Sequence, residues 1–282
     1  MRHRLKWIGI SFVFVFIFSL PFYAFAQEEL APEWAKLATD DAGTVGKGGI
    51  EIEFGYTFNY AKKAMDNDWH KEDRGILREH EFGLSIAYGI LDNLDISADT
   101  GYANLYDHDS DPEKGEGFCD LGLGIKYRFL KLKSLDLELA YITSLSIPTG
   151  RFSDSHRLGP SDEFWAWENK IALSRDFGKL TMNMDFGFSL PFGKYRENER
   201  GTLSYDLAVG YQIVKWLQPE IEINYEHGFV KDEDDNDSIF LTAGFIMPLT
   251  DHFKGKVGLQ QTVTGRNTDY TTSIILALTL SF

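Results

Sequence analysis

Residues 50–60 read Ile-Glu-Ile-Glu-Phe-Gly-Tyr-Thr-Phe-Asn-Tyr, and this stretch decides the fold. Ile50, Ile52, Phe54, Tyr56, Phe58 and Tyr60 are apolar or aromatic. Between them sit Glu51, Glu53, Gly55, Thr57 and Asn59, which are charged, small or polar. The period is two, so the segment is a strand with one greasy and one polar face. The pattern returns at Phe82, Leu84, Ile86 and Tyr88, and again at Leu121, Leu123, Ile125, Tyr127 and Phe129. Further runs lie near 93–103, 135–147, 164–174, 180–190, 202–213, 217–228, 238–248, 253–264 and 271–282. The sequence therefore predicts an all-β chain of twelve strands. Each has about 9–13 residues, the length that crosses a bilayer at a tilt.

The connections are expected to alternate. Short ones fall at Ile90–Asp92, Leu130–Ser134, Asp176–Lys179, Val214–Trp216 and Leu249–His252. Long polar ones are expected at Ala61–Ile76, Asn104–Gly117, Thr149–Glu163, Phe192–Gly201, Phe229–Asp237 and Gly265–Tyr270. Antiparallel hairpins with short turns on one rim and long loops on the other give an up-and-down transmembrane β-barrel, with both termini on the periplasmic rim. A soluble β-sandwich also alternates, but it turns its greasy face inward. Aromatics recurring near strand ends (Tyr56, Tyr60, Tyr88, Tyr102, Tyr127, Trp165, Trp167, Tyr211 and Tyr225) favour interfacial girdles and hence the barrel.

The remaining composition agrees. The chain has 282 residues, 43% hydrophobic and 25% charged, with a net charge of −15. That charge argues against a general nucleic-acid binder, because phosphate is repelled. A single cysteine, Cys119, excludes an internal disulfide framework and a cysteine-based zinc site. The sequence calls for no cofactor and no metal.

The N-terminus reads as a targeting segment. Arg2, His3, Arg4 and Lys6 precede the apolar run Trp7–Leu20, and Ala24-Phe-Ala26 supplies the small-x-small pattern. Residues 1–26 are expected to be a cleaved signal peptide; the alternative is an uncleaved anchor. Residues 27–48 form a periplasmic segment that opens polar, carries Trp34 and Leu37, and is expected to be a plug, a short helix or disordered. The barrel then occupies 49–282. At its end Ile274, Leu276, Leu278, Leu280 and Phe282 alternate to a terminal aromatic. This looks like the C-terminal strand signal that outer-membrane barrels present to the barrel assembly machinery, which places the protein in the outer membrane of a Gram-negative cell.

The passage SLSIPTG at 144–150, followed by LGPSD at 158–162 and a new aromatic strand, resembles the family described as "putative MetA-pathway of phenol degradation". The resemblance spans roughly 45–282 and implies a transporter-like outer-membrane barrel. It does not establish phenol as a substrate. Pro148 can end a strand and Gly150 can turn the chain, so these residues are read as structural.

On a barrel, the polar face lines the lumen. Its acids are Glu51, Glu53, Glu79, Glu81, Asp95, Asp99, Asp120, Asp136, Glu138, Glu168, Asp185, Asp206, Glu220, Glu222 and Glu226; its bases are Lys126, Arg128, Lys170, Lys254 and Lys256. So many charges need water or one another. An acid-lined wet lumen favours cations and neutral solutes. The alternative is a lumen closed by acid–base networks, since twelve strands lie between filled and open barrels.

Other constellations are weaker. His108-Asp-Ser110 has the His-x-Ser spacing of a lipid hydrolase but no flanking catalytic motif. Asp107, Asp109 and Asp111 begin like a calcium loop, but Pro112 and Phe118 stand where glycine and glutamate are needed. The run Asp232–Asp237 reads as a solvated tip. The scattered histidines cannot be paired into a protease site. Gly122 and Gly124 are read as relieving crowding within a strand. The expectation is therefore a non-enzymatic channel or transporter-like barrel passing small molecules. Its partners are outer-membrane lipid and lipopolysaccharide, the assembly machinery, and an unnamed solute, with no nucleic acid. The alternatives are a non-conducting barrel that binds lipopolysaccharide or a partner, and more distantly a lipid hydrolase.

Overall fold

The structure is a computed structural model that describes residues 36–194, 196 and 198–282. The expected signal peptide, with Ala24 and Ala26, and residues 27–35 lie outside the described residues.

The strands are β1 (Ile50–Met65), β2 (Lys71–Leu91), β3 (Leu94–Asp107), β4 (Lys114–Phe118), β5 (Leu121–Leu132), β6 (Leu137–Ile147) and β7 (Trp165–Phe177). They continue with β8 (Leu180–Phe192), β9 (Glu199–Tyr211), β10 (Gln218–Val230), β11 (Asn236–Pro248), β12 (Phe253–Arg266) and β13 (Thr268–Ser281). Every ladder is antiparallel and, apart from β1–β13 and β3–β5, links strands adjacent in sequence. β1 closes the wall against β13, with Phe54 opposite Leu278. β4 and β5 share one place in that wall, because both pair with β3: Phe118 lies opposite Tyr102, and Gly122 opposite Asp99. Cys119 and Asp120 step out of the ladder between them, a bulge in an otherwise continuous strand. Thirteen segments thus make a closed twelve-stranded barrel, in which β4 alone keeps an edge outside the ladders.

The barrel is inside-out relative to a soluble domain. Its outer face exposes Phe82, Ile86, Leu123, Phe186, Ile221, Leu259 and Leu276. Its most deeply buried large side chains include Gln218, Glu138, Glu220, Glu222 and Asn183. A continuous apolar outer band is stable only against lipid, and backbone polar groups there are satisfied because the sheet closes on itself. Inward glycines make room for their neighbours. A Cβ on Gly122 would lie 2.4 Å from the Asp99 carboxylate, and one on Gly124 2.4 Å from the Ser97 hydroxyl.

The loop expectations need correction. Of the expected long loops at Ala61–Ile76, Asn104–Gly117 and Gly265–Tyr270, most residues are strand, whereas the one at Phe192–Gly201 gives up only Phe192 and residues 199–201 to β8 and β9. β1 and β2 run on to Met65 and from Lys71, and the β12–β13 turn is Asn267 alone, at φ 50°. Beyond the bilayer both faces of a hairpin meet water. The greasy alternation that marks a strand in sequence is then lost, although the paired backbone continues. The β6–β7 connection, residues 148–164, remains a long one.

Candidate solute path and its lining

The lumen has two zones. In the outer zone, Glu79 and Glu81 of β2, Asp99 of β3 and Glu226 of β10 project inward by strand parity. Glu79 accepts a hydrogen bond from the Asn59 amide at 2.9 Å. Among the described residues, none of these four acids has a lysine or arginine partner. Glu168 is shared between Lys170 (3.3 Å) and the Ser144 hydroxyl (3.2 Å). Above them Arg74 gathers Asp107, Asp109 and Asp269, tying β2, β3 and β13 together at the outer mouth.

The inner zone holds residues 36–48, which form neither helix nor strand and cross the lumen. The wall acids serve as acceptors for their N–H groups. Glu222 receives Leu37 N (2.6 Å), Ala38 N (3.0 Å), Thr39 N (2.9 Å) and the Thr39 hydroxyl (2.9 Å). Asp185 receives Asp40 N at 2.8 Å, and Asp95 receives Val45 N at 2.9 Å. Ser174 Oγ accepts from Ala42 N at 2.8 Å. Ion pairs add to this: the buried Lys36 with Glu220 (2.8 Å), and the partly exposed Lys170 with Asp40 (3.0 Å) and Lys126 with Asp41 (3.7 Å). Packing completes it. Leu37 lies over Gly244 and Gly258 of β11 and β12, and Ala42 packs on Ala140 and Ala172.

The segment leans on β3, β7, β8 and β10. On the opposite side a crevice of about 250 Å³ remains, lined by Asp40, Asp41, Glu51, Glu53, Lys36 and Lys256. Glu53 is paired with Lys256 (2.7 Å) and Thr279 (2.7 Å), and Glu51 accepts from the Ser281 hydroxyl (3.2 Å).

Other residues singled out from sequence have local partners. Glu138 pairs with Arg128 (2.8 Å) and with Lys131. Asp206 accepts from Asn224 at 2.9 Å and stands opposite Asp185. Asp120, in the bulge, receives Gly150 N (2.9 Å), the Ser161 hydroxyl (2.7 Å) and Asp162 N (3.0 Å). The two halves of the 144–150 and 158–162 passage thus meet on one carboxylate. A Cβ at Gly159 would sit 2.1 Å from the Arg151 carbonyl, so the passage needs glycine there.

The His108–Ser110 pair does not form a dyad: the His108 ring faces Glu113 at 3.1 Å, and Ser110 N donates to Asp107 O. At the C-terminus Leu278 and Leu280 pair with Phe54 and Ile52, and Phe282 exchanges two backbone hydrogen bonds with Ile50. Sequence reasoning singled out the wall acids but missed their main ligand, the N–H groups of residues 37–45. Backbone donors carry no side-chain signature. The inward Gly244 and Gly258 were the trace that something bulky sits above them.

Comparisons with known proteins agree with this architecture. The family model described as "Putative MetA-pathway of phenol degradation" matches residues 39–276. Among solved structures, the COG4313 outer membrane channel from Pseudomonas putida F1 superposes with a TM-score of 0.74 at 15% identity, covering 88% of this chain and all of that one. The KdgM porin in complex with disordered oligogalacturonate gives 0.51 at 11% identity, with 82% of this chain and 99% of that one covered. At these identities the likeness is one of fold. No curated protein sequence matches the chain.

Proposed function

Because the chain belongs to the family described as "Putative MetA-pathway of phenol degradation", we propose that it is an outer-membrane channel for small cationic or neutral solutes, narrowed by its own N-terminal segment. The observations that support this reading are the inward-facing acids of the outer lumen and the crevice of about 250 Å³ left beside residues 36–41. Glu79, Glu81, Asp99 and Glu226 lack cationic partners among the described residues, so their field is available to a permeating cation. The inner acids are committed to the segment or to neighbouring wall residues. Selectivity is therefore assigned to the outer acids, and bore to the segment. Transport is passive: a solute enters at the outer mouth, exchanges part of its hydration for carboxylate contacts, and leaves beside residues 36–41.

The test is single-channel recording of the refolded protein across a potassium chloride gradient. Small conductance steps with a cation-selective reversal potential are expected, and Glu81→Gln combined with Asp99→Asn should move that potential toward zero. An inserted but silent barrel would sink the channel reading. The second reading, a barrel that does not conduct, draws on the dense bonding of residues 36–48 across the lumen. It predicts silence in the wild type and steps only when that segment is removed.

A further inference from the structure

On the outer wall, β2, β3 and β4 continue past the membrane as a three-stranded apron. Three rows of side chains cross it in register. The first is Phe82, Tyr102 and Phe118; the second His80, Asn104 and Glu116; the third Arg78, Tyr106 and Lys114. No register shift separates the rows, so all share the outer face with the lipid-facing Phe82. The first row is an exposed aromatic belt, with Phe118 edge-on to Tyr102. The third row lies four residues further along each strand, roughly 13 Å along the strand and about 10 Å along the membrane normal after tilt. That is the depth of lipid headgroups.

The chemistry at this depth is unusual for so acidic a chain. The Tyr106 ring has the Arg78 guanidinium 5.9 Å and the Lys114 ammonium 5.5 Å from its centre. The β6–β7 loop folds back onto the β4 edge, where Leu158 N donates to Lys114 O at 2.9 Å. The Asp154 carboxylate accepts the N–H groups of His156 (2.7 Å) and Arg157 (2.9 Å), fixing the turn that presents their side chains. Together these elements enclose an open cavity of about 740 Å³. Arg78, Lys114 and Arg157 line it and have no carboxylate partner among the described residues. Its one acid, Glu116, lies 3.4 Å from the Asn104 amide. The His80 ring is held by the Tyr56 hydroxyl at 2.9 Å and packs 4.7 Å from Phe58.

We propose that this cavity docks the phosphorylated headgroup of an outer-leaflet glycolipid, the lipid A moiety of lipopolysaccharide. Arg78, Lys114 and Arg157 receive the phosphates, and the Phe82–Tyr102–Phe118 belt packs the acyl chains. Unpaired cations grouped at headgroup depth attract phosphate, and guanidinium groups match its oxygens two at a time. The belt directly below is what selects a lipid over a free anion.

Lipid A bearing both phosphates, offered in detergent to the refolded protein and read by native mass spectrometry, tests this. Saturable binding is expected. It should weaken by at least about tenfold in the Arg78→Ser/Lys114→Ser/Arg157→Ser variant, and equally when the wild type is offered lipid A stripped of phosphate. Lys133→Ser/Lys215→Ser, which removes cations from the opposite rim, should leave binding unchanged. Heat-modifiable gel mobility reports whether each variant forms the barrel. If the triple variant does not, Arg157→Ser alone, in the loop, should still weaken binding by about threefold. Undiminished binding in the folded variants, or equal binding of phosphate-free lipid A, overturns the proposal. Complete displacement by millimolar inorganic phosphate would assign the cavity to a free anion and overturn the lipid.

Discussion

Glu222 shows how one side chain can hold a segment. Its two oxygens accept four hydrogen bonds from residues 37–39, at a buried position on β10. Glu222→Ala is expected to cost the docked segment on the order of 3 kcal/mol. Trypsin should then cleave after Lys36 or Lys47 about a hundredfold faster, while the barrel keeps its heat-modifiable mobility; unchanged cleavage would mean that the other anchors suffice. Asp162 offers a pH test. Burial, and then the neighbouring Asp120, push its carboxyl above the usual range. A raised value means that the loop is favoured while Asp162 is protonated, and loses that contribution as the pH rises through the folded value. Hydrogen exchange in residues 148–164, corrected for intrinsic rate, should therefore show more opening at about pH 8 than at about pH 5. Asp162→Asn should abolish the difference; if the difference persists, another group causes it. Residues of this kind were only half legible. Alternation put Glu222 on the inner face, but its ligand is backbone.

Among the elements, the strands were legible where lipid wrote the pattern and illegible where water did. The run Ile50–Tyr60 announces β1, yet its last residues, Ala-Lys-Lys-Ala-Met at 61–65, do not alternate between apolar and polar, although the paired backbone runs on to Met65. The β4–β5 break was also hidden, because Phe118 and Leu121 both read as greasy positions while Cys119 and Asp120 shift the phase between them. Residues 36–48 belong to this scale as well. Their bonds run to six strands, β2, β3, β5, β7, β8 and β10, and no local propensity encodes such a path. Deleting residues 27–48 is expected to leave a folded barrel whose conductance is several-fold larger than wild type, with cation preference retained because the outer acids remain. A deletion variant that conducts no better would mean that the constriction lies elsewhere, as in the 148–164 loop.

For the whole molecule, alternation assigned the acids to the lumen face, but not the partners that divide them into zones. A net charge of −15 gave an acidic object. The fold divides that acidity into an inner zone bonded to the N-terminal segment and to wall residues, and an outer zone whose acids Glu79, Glu81, Asp99 and Glu226 have no lysine or arginine partner among the described residues. The same fold gathers three cations, Arg78, Lys114 and Arg157, around one cavity on the outer face. Composition cannot show such sorting, because strand parity and register decide which face each charge meets.

The closing seam and the lumen segment also imply an order of events. Phe282 meets Ile50 at the seam, and the chain immediately before Ile50 is what crosses the lumen. Its acceptors on β3, β7, β8 and β10 come together only once the cylinder is round. A newborn barrel must therefore pass through a moment of full bore before it stoppers itself. During refolding into dye-loaded liposomes, a brief burst of leakage should precede the low steady permeability of the finished protein. Leakage that is low from the first closed barrel onward would mean that the segment is carried in with the folding wall.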